Sequence, residues 1–138
     1  MSEEDELERL RRRKLEDLMR RGSGVVKRSS VGEPIEVTDS NFNEVIKGGS
    51  LVVIDCWAPW CAPCRMMAPI VDELAKEYAG RILFGKLNVD ENQRVPAEYQ
   101  IMSIPTFLIF KDGVLVERIV GAIPKKIFEQ KLAKHMGP

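Results

Sequence analysis

A run of four apolar residues, Leu51–Ile54, followed closely by a long helical pattern, constrains the fold of this chain more than any other feature. An uninterrupted apolar strand is typical of a central strand that is covered on both faces. The helical pattern extends from about Cys61 to Tyr78, with apolar residues recurring along one face. A buried strand that leads into a helix of this length predicts an α/β domain in which helices cover a sheet.

The chain beyond residue 34 continues to alternate between strand and helix patterns. Asp112 and Gly113 form a strong hairpin signal, so the last two strands should pair antiparallel. The order β-α-β-α-β-α-β-β-α therefore predicts a parallel start and an antiparallel finish. We expect Asp39 or Ser40 to cap the first helix. This helix carries Phe42, Val45 and Ile46, and Gly48-Gly49 should end it. The other strands are expected at Ile35–Val37, Arg81–Val89, Thr106–Phe110 and Val114–Val120. We further expect a short helix or turn at Glu91–Tyr99 and a closing helix at Lys125–His135.

The first 33 residues differ in composition from the rest of the chain. Residues 1–21 are nearly all charged or leucine, with acidic residues at the start and Arg20 and Arg21 at the end, as the helix dipole favours. Glycines at 22 and 24 then supply a helix stop. We predict a charged helical extension and linker at residues 1–33 and one globular domain at residues 34–138. The leucine stripe of this helix is narrow, so the helix could stand in solvent, dock a partner or self-associate.

Composition excludes several classes of protein. A chain of 138 residues with 44% hydrophobic and 30% charged residues is typical of one globular domain. The 21 basic residues balance the 21 acidic ones, and acidic residues on both sides of the basic run at 11–14 cancel much of its field, so nucleic acid is not an expected partner. No apolar stretch approaches the roughly 20 residues of a membrane span, and the acidic first residues do not resemble a secretory signal. We expect a cytoplasmic protein without membrane contact.

Two of the three cysteines, Cys61 and Cys64, have a spacing suited to redox chemistry. At a helix start they would lie one turn apart on one face, with Cβ atoms about 5–6 Å apart, close to the roughly 3.5–4.5 Å of a disulfide. Free backbone N–H groups and the dipole at a helix start lower the pKa of a cysteine thiol. The spacing therefore predicts that Cys61 attacks a partner disulfide and that Cys64 resolves the mixed disulfide.

Other interpretations of the cysteines remain open. The pair could be a structural disulfide, although so short a loop contributes only about 2 kcal/mol. It could supply two zinc ligands, but the single histidine, His135, is expected to be a solvated tail residue. Cys56 should point away from Asp55 and act as a small buried hydrophobe without a redox role. We expect neither a metal nor a cofactor.

The stretch from Asp55 to Arg65, DCWAPWCAPCR, resembles the thioredoxin family, and the similarity covers about residues 34–137. The resemblance implies a thioredoxin fold, with a central mixed sheet flanked by helices and here preceded by the N-terminal helix. It also implies an enzyme, a protein-disulfide reductase that cycles between dithiol and disulfide. Further matches to the family are Pro69, Lys86, Ile104-Pro105-Thr106, Asp112-Gly113 and Gly121-Ala122.

The resemblance implies roles for individual residues. Cys61 would be the nucleophile and Cys64 the resolving cysteine, with Asp55 as the proton acceptor of Cys64 and Lys86 as its modulator. Burial fits this role of Asp55, because desolvation raises the pKa of a carboxyl group. Pro105 would follow a cis peptide bond and pack against the dithiol. The implied substrate surface consists of Trp60, Ile104, Pro105, Gly121 and Ala122, and the implied structural support consists of Trp57, Pro63 and Pro69, with Pro69 kinking its helix.

The implied partners are client proteins that contain disulfides and a thioredoxin reductase that donates electrons to an exposed Cys61. Ala62-Pro63 departs from the Gly-Pro pair that is commonest in the family, and this pair tunes the redox potential. Two alternatives to a disulfide reductase remain open. The chain could be a thiol oxidase or disulfide isomerase, or it could be a partner-binding module directed by its N-terminal helix.

Overall fold

The computed structural model describes residues 32–137 and, before them, only Arg11. The elements of residues 32–137 follow the predicted order, whereas the predicted helical extension lies outside the described residues. The strands are β1 (Ile35–Val37), β2 (Leu51–Trp57), β3 (Leu83–Asn88), β4 (Thr106–Lys111) and β5 (Val114–Val120). The helices are α1 (Phe42–Ile46), α2 (Ala62–Glu77), α3 (Arg94–Glu98) and α4 (Lys125–Ala133).

The strands form one mixed sheet in the order β1-β3-β2-β4-β5. Strands β1, β3 and β2 are parallel, whereas β4 pairs antiparallel with both β2 and β5. The turn between β4 and β5 places Asp112 and Gly113 at φ values of 51° and 83°. Aspartate and glycine tolerate this left-handed conformation, which suits a tight hairpin. The predicted parallel start and antiparallel finish are confirmed.

Each face of the sheet is covered by two helices and has its own core. Val53 lies in the core under α2 and α4, with Met67 and Phe128. Ile54 points the other way, into the core under α1 and α3, with Phe42. This alternation follows from the period of two in a strand, and it explains why every residue of the predicted apolar run is buried. None of the described helices is long and apolar enough to cross a membrane.

The predicted cap of the first helix is wrong. The residue that precedes α1 is Asn41, which makes no side-chain capping bond. Asp39 instead accepts hydrogen bonds of 3.0 Å from the backbone N–H groups of Arg94 and Val95. Asp39 therefore caps α3, more than 50 residues away in sequence, because the sheet brings the end of β1 next to the start of that helix.

Candidate active site

Cys61 and Cys64 form a disulfide at the N-terminus of α2. Cys61 is the residue that caps the helix, and the backbone N–H of Cys64 donates a hydrogen bond of 3.2 Å to its Sγ. The two Cα atoms are 5.2 Å apart, within the usual range for a disulfide. Pro63 lies in the first turn, where its missing N–H costs no helix bond. This position favours a thiolate on Cys61 when the pair is reduced, because the N–H of Cys64 and the positive end of the helix dipole face the sulfur.

The cysteine pair is more buried than we expected. Cys61 and Cys64 are each only 4% exposed, whereas the preceding Trp60 is 67% exposed. The carbonyl oxygen of Ile104 lies 3.7 Å from Sγ of Cys61, so the loop before β4 covers the sulfur. The expectation of an exposed Cys61 is therefore wrong.

Asp55 is a buried carboxyl group on β2, six residues before Cys61. It is 2% exposed, and its Oδ1 has no hydrogen-bond partner among the described residues. Desolvation raises the pKa of Asp55 to about 7, with Lys86 opposing the rise and Asp72 adding to it. A group that titrates near neutrality is suited to general acid–base chemistry.

Lys86 lies beside Asp55 on the neighbouring strand. The register of β2 and β3 pairs the two residues directly, so their side chains share one face of the sheet. The Nζ of Lys86 also lies 5.0 Å from the centroid of the Trp57 ring, a cation–π contact. The structure therefore brings together three of the predicted residues, Asp55, Lys86 and Trp57.

The loop before β4 joins the predicted substrate residues. The Ile104–Pro105 peptide bond is cis, and Pro105 is buried. The carbonyl of Pro105 accepts a hydrogen bond of 2.8 Å from the N–H of Gly121. Gly121 has a φ of 93°, a conformation that glycine adopts without strain. Ala122 follows as an exposed residue, so these four residues are adjacent in the fold.

An apolar pocket of about 400 Å³ adjoins this loop, with Trp60 and Ile104 among its lining residues. Met102, which is 92% exposed, also lines it. The indole Nε1 of Trp60 donates hydrogen bonds to both carboxylate oxygens of Asp90, at 3.2 and 3.0 Å. Sequence reasoning missed Met102 and Asp90. The only signal was an apolar residue in a loop for Met102, and no local pattern links Asp90 to a tryptophan 30 residues away.

The remaining predicted residues are Pro69, Cys56 and His135. Pro69 is inside α2, which continues on both sides of it. Cys56 is fully buried in the core under α1 and α3, and burial raises the pKa of its thiol far above the usual range. The expectation for His135 is wrong, because its Nε2 lies 2.7 Å from Oε1 of Glu117 on β5. Within residues 32–137, no three His, Cys, Asp or Glu side chains are grouped so that they could hold a metal ion.

In a comparison with known protein families, residues 33–134 match one family model, which is described as thioredoxin. Thioredoxin 1 of a Nostoc species is 52% identical over 102 residues, which cover 73% of this chain and 95% of that protein. The chloroplastic M-type thioredoxin of Pisum sativum is 48% identical over 110 residues, which cover 79% of this chain and 64% of that protein. A solved structure of a mutant thioredoxin from Halobacterium salinarum is 30% identical, with a TM-score of 0.73, over 79% of this chain and 96% of that one.

Proposed function

The chain belongs to the thioredoxin family and is a thiol–disulfide oxidoreductase with the activity of a disulfide reductase, and we propose that Cys61 is its nucleophile and Cys64 its resolving cysteine. One observation carries this assignment of roles. Cys61 caps α2 and its sulfur already accepts the N–H of Cys64, whereas Cys64 is itself the third residue of the helix. The helix terminus therefore stabilises negative charge on Cys61 first.

The reaction proceeds in two exchange steps. The Cys61 thiolate attacks one sulfur of a client disulfide, so a bond forms between Cys61 and the client while the other client sulfur leaves as a thiolate. The thiol of Cys64 then loses its proton and attacks Sγ of Cys61, which releases the second client sulfur. Two electrons pass from the dithiol to the client, and the disulfide between Cys61 and Cys64 remains.

We propose Asp55 as the acceptor of the Cys64 proton, acting through water, with Lys86 as its modulator. The support is that Asp55 is buried, that its Oδ1 lacks a partner among the described residues, and that its pKa of about 7 allows proton exchange at neutral pH. Lys86 stands beside it in the strand register and lowers its pKa.

We propose that the client binds across the surface formed by Trp60, Ile104, Pro105, Gly121 and Ala122. Ile104 lies beside the sulfur of Cys61, and the exposed ring of the preceding Trp60 offers apolar contact. Trp57, Pro63 and Pro69 support the site in this proposal. Trp57 contacts Lys86, and the two prolines lie in the helix that begins at the disulfide.

The family implies disulfide-containing clients and a reductase partner in general. We propose that the electron donor is a thioredoxin reductase and that the chain works in the cytosol. A buried free thiol, Cys56, is typical of proteins from reducing compartments. Relatives include chloroplastic proteins, so fractionation of cells that express the full chain is the test of the compartment. The division into residues 1–33 and 34–138 is also proposed, supported by a family match that begins at residue 33.

Reduction of insulin disulfides with dithiothreitol as donor tests the roles of the cysteines. We expect Cys61→Ser to lower the rate to that of the uncatalysed reaction, and Cys64→Ser to accumulate a mixed disulfide on Cys61. Cys56→Ser is the matched control and should retain the rate per folded molecule. Catalysis by Cys61→Ser, or trapping of the client on Cys56, would contradict the assignment. A redox potential well above that of reducing thioredoxins would favour a thiol oxidase or isomerase instead.

A further inference from the structure

A transverse row of side chains crosses the sheet at the level of Asp55. The register pairs Asp55 with Phe107 on β4 and with Lys86 on β3, and it pairs Lys86 in turn with Glu36 on β1. Side chains at paired positions point to the same face, and here that face is the one covered by α2. Exposure increases along the row, because Phe107 and Asp55 are buried, Lys86 is half-buried and Glu36 is exposed.

Lys86 therefore stands midway between two carboxylates. Neighbouring strands lie about 4.8 Å apart, so the backbones of Asp55 and Glu36 are separated by roughly 10 Å, with Lys86 between them. Within residues 32–137, the ion pairs do not include Lys86, whose Nζ lies over the Trp57 ring. The ammonium group is thus not committed to either carboxylate.

A pocket of about 260 Å³ gives the Lys86 side chain room to move toward the edge of the sheet. Glu36, Trp57, Lys86 and Glu91 are among the residues that line it. Two of these are acidic, so the pocket attracts the ammonium group away from the interior. A flexible four-carbon chain lets a lysine respond to such competing charges.

We propose that Glu36 is a positioning residue for the reaction, which draws Lys86 toward the edge of the sheet and so limits how strongly the ammonium group acts on Asp55. This inference rests on the proposed role of Asp55 as proton acceptor. If Lys86 were committed to Asp55, the carboxylate form would be favoured and the group would be a poorer base at neutral pH. The other charged groups that bear on the row are Asp72 from α2, which acts on Asp55, and Glu91, which lines the pocket.

Titration of the Asp55 carboxyl group in the oxidised full chain, followed by ¹³C NMR, tests the proposal directly. Glu36→Gln removes the charge and keeps the shape of an exposed side chain, so folding should be unaffected. We expect the titration midpoint of Asp55 to fall by about half a pH unit, because the ammonium group of Lys86 would then act more strongly on the carboxyl group. Glu33→Gln is the matched control, because it removes the same charge from an exposed residue before β1 begins, and should move the midpoint by no more than about 0.1 pH unit.

A second pair of variants distinguishes an effect of Glu36 that acts through Lys86 from a direct electrostatic effect of Glu36 on Asp55. In a Lys86→Met background the effect of Glu36→Gln should disappear, because the group that Glu36 positions is absent. The proposal is overturned if Glu36→Gln moves the midpoint no more than Glu33→Gln does. It is also overturned if the displacement is the same with and without Lys86.

Kinetics of mixed-disulfide resolution distinguish failure of this inference from failure of the proposed mechanism. In the wild-type chain the midpoint of the pH–rate profile should follow that of Asp55, and Glu36→Gln should displace both in the same direction. If Asp55→Asn leaves the profile unchanged, Asp55 is not the proton acceptor, and both proposals fall. If Asp55→Asn removes the pH dependence while Glu36→Gln displaces nothing, only the role of Glu36 is overturned.

Discussion

Each face of β2 buries one titratable residue, and burial has opposite effects on the reactivity of the two residues. Asp55 points to the face under α2 and α4, and Cys56 points to the face under α1 and α3. The two residues are adjacent in the chain and both are buried. Desolvation is the largest influence on each, and it raises the pKa of both groups.

The same physical effect makes one group reactive and the other inert. The pKa of an aspartate starts at 3.8, so burial brings it to about 7, where it can exchange a proton. The pKa of a thiol starts at 9.0, so the same change moves it away from neutrality and keeps the thiol protonated. Position matters as well, because Asp55 has Lys86 beside it whereas Cys56 lies in an apolar core. Burial alone therefore does not identify a functional residue.

The strongest test of this contrast is the pH dependence of stability in Asp55→Asn. Between pH 3.8 and about 7 the folded chain binds a proton that the unfolded chain does not, so its stability falls as the pH rises through this window. The gap corresponds to about 4 kcal/mol, at about 1.4 kcal/mol per pH unit. We expect Asp55→Asn to raise the free energy of unfolding of the oxidised chain by about this amount at pH 8 and by little at pH 4, measured by denaturant titration.

Asp72→Asn is the control for a general charge effect, since Asp72 also raises the pKa of Asp55 but is itself exposed on α2. We expect it to change stability by less than about 1 kcal/mol at either pH. An equal gain for Asp55→Asn at pH 4 and pH 8 would mean that the carboxyl group is not the source of the effect.

A smaller change in stability, of opposite sign, is expected for a substitution on the other face of β2. Cys56→Ser places a hydroxyl group in an apolar core and should lower the free energy of unfolding by about 1–3 kcal/mol. The loss should be the same at pH 5 and pH 8, because burial keeps the Cys56 thiol protonated at both pH values and a serine hydroxyl does not titrate in this range. Cys56→Ala, which adds no polar atom, should cost less than Cys56→Ser. A pH-dependent loss would show that the two faces are coupled.

Much of this contrast could be predicted from sequence, because it depends on local periodicity. The alternation of a strand places Asp55 and Cys56 on opposite faces, and the helical pattern places Cys61 at a helix start. The Asp112-Gly113 pair likewise predicted the hairpin correctly, because turn conformation is a local property. These predictions needed no knowledge of how distant segments meet.

The features that sequence reasoning missed all depend on distant segments. The burial of Cys61 comes from the loop of Ile104, and the partner of Trp60 is Asp90. The row from Asp55 to Glu36 exists only because three strands pair in one register, which a strand pattern does not specify. Asp39 was predicted to cap the nearest helix, whereas it caps one that topology brings alongside.

Removal of the Asp39 cap is expected to have the smallest effect on stability, and it concerns the face of the sheet that holds Cys56. Helices α1 and α3, which cover Cys56, have five residues each, whereas α2 has 16. Such short helices depend on contacts from outside, and Asp39 supplies one. We expect Asp39→Ala to lower the free energy of unfolding by about 1 kcal/mol at pH 7. Asparagine can still accept the hydrogen bonds, so Asp39→Asn should retain most of this contribution. Ser40→Ala is the matched control, because the side chain of Ser40 bonds, among the described residues, to Thr38 alone.

The pH dependence of this loss has the opposite sign from that of Asp55. Desolvation acts to raise the pKa of Asp39, but the N–H groups of Val95, Arg94 and Gln93, together with the charge of Arg94, hold the pKa below its usual value. The contribution is therefore present above pH 3.8 and disappears as the pH falls through the lowered pKa. Hydrogen exchange of Asp39→Ala should quicken at the amides of α3, while the titration midpoint of Asp55 stays where it is in the wild-type chain. A displaced midpoint would show that the helices on one face of the sheet influence the titration of Asp55 on the other face.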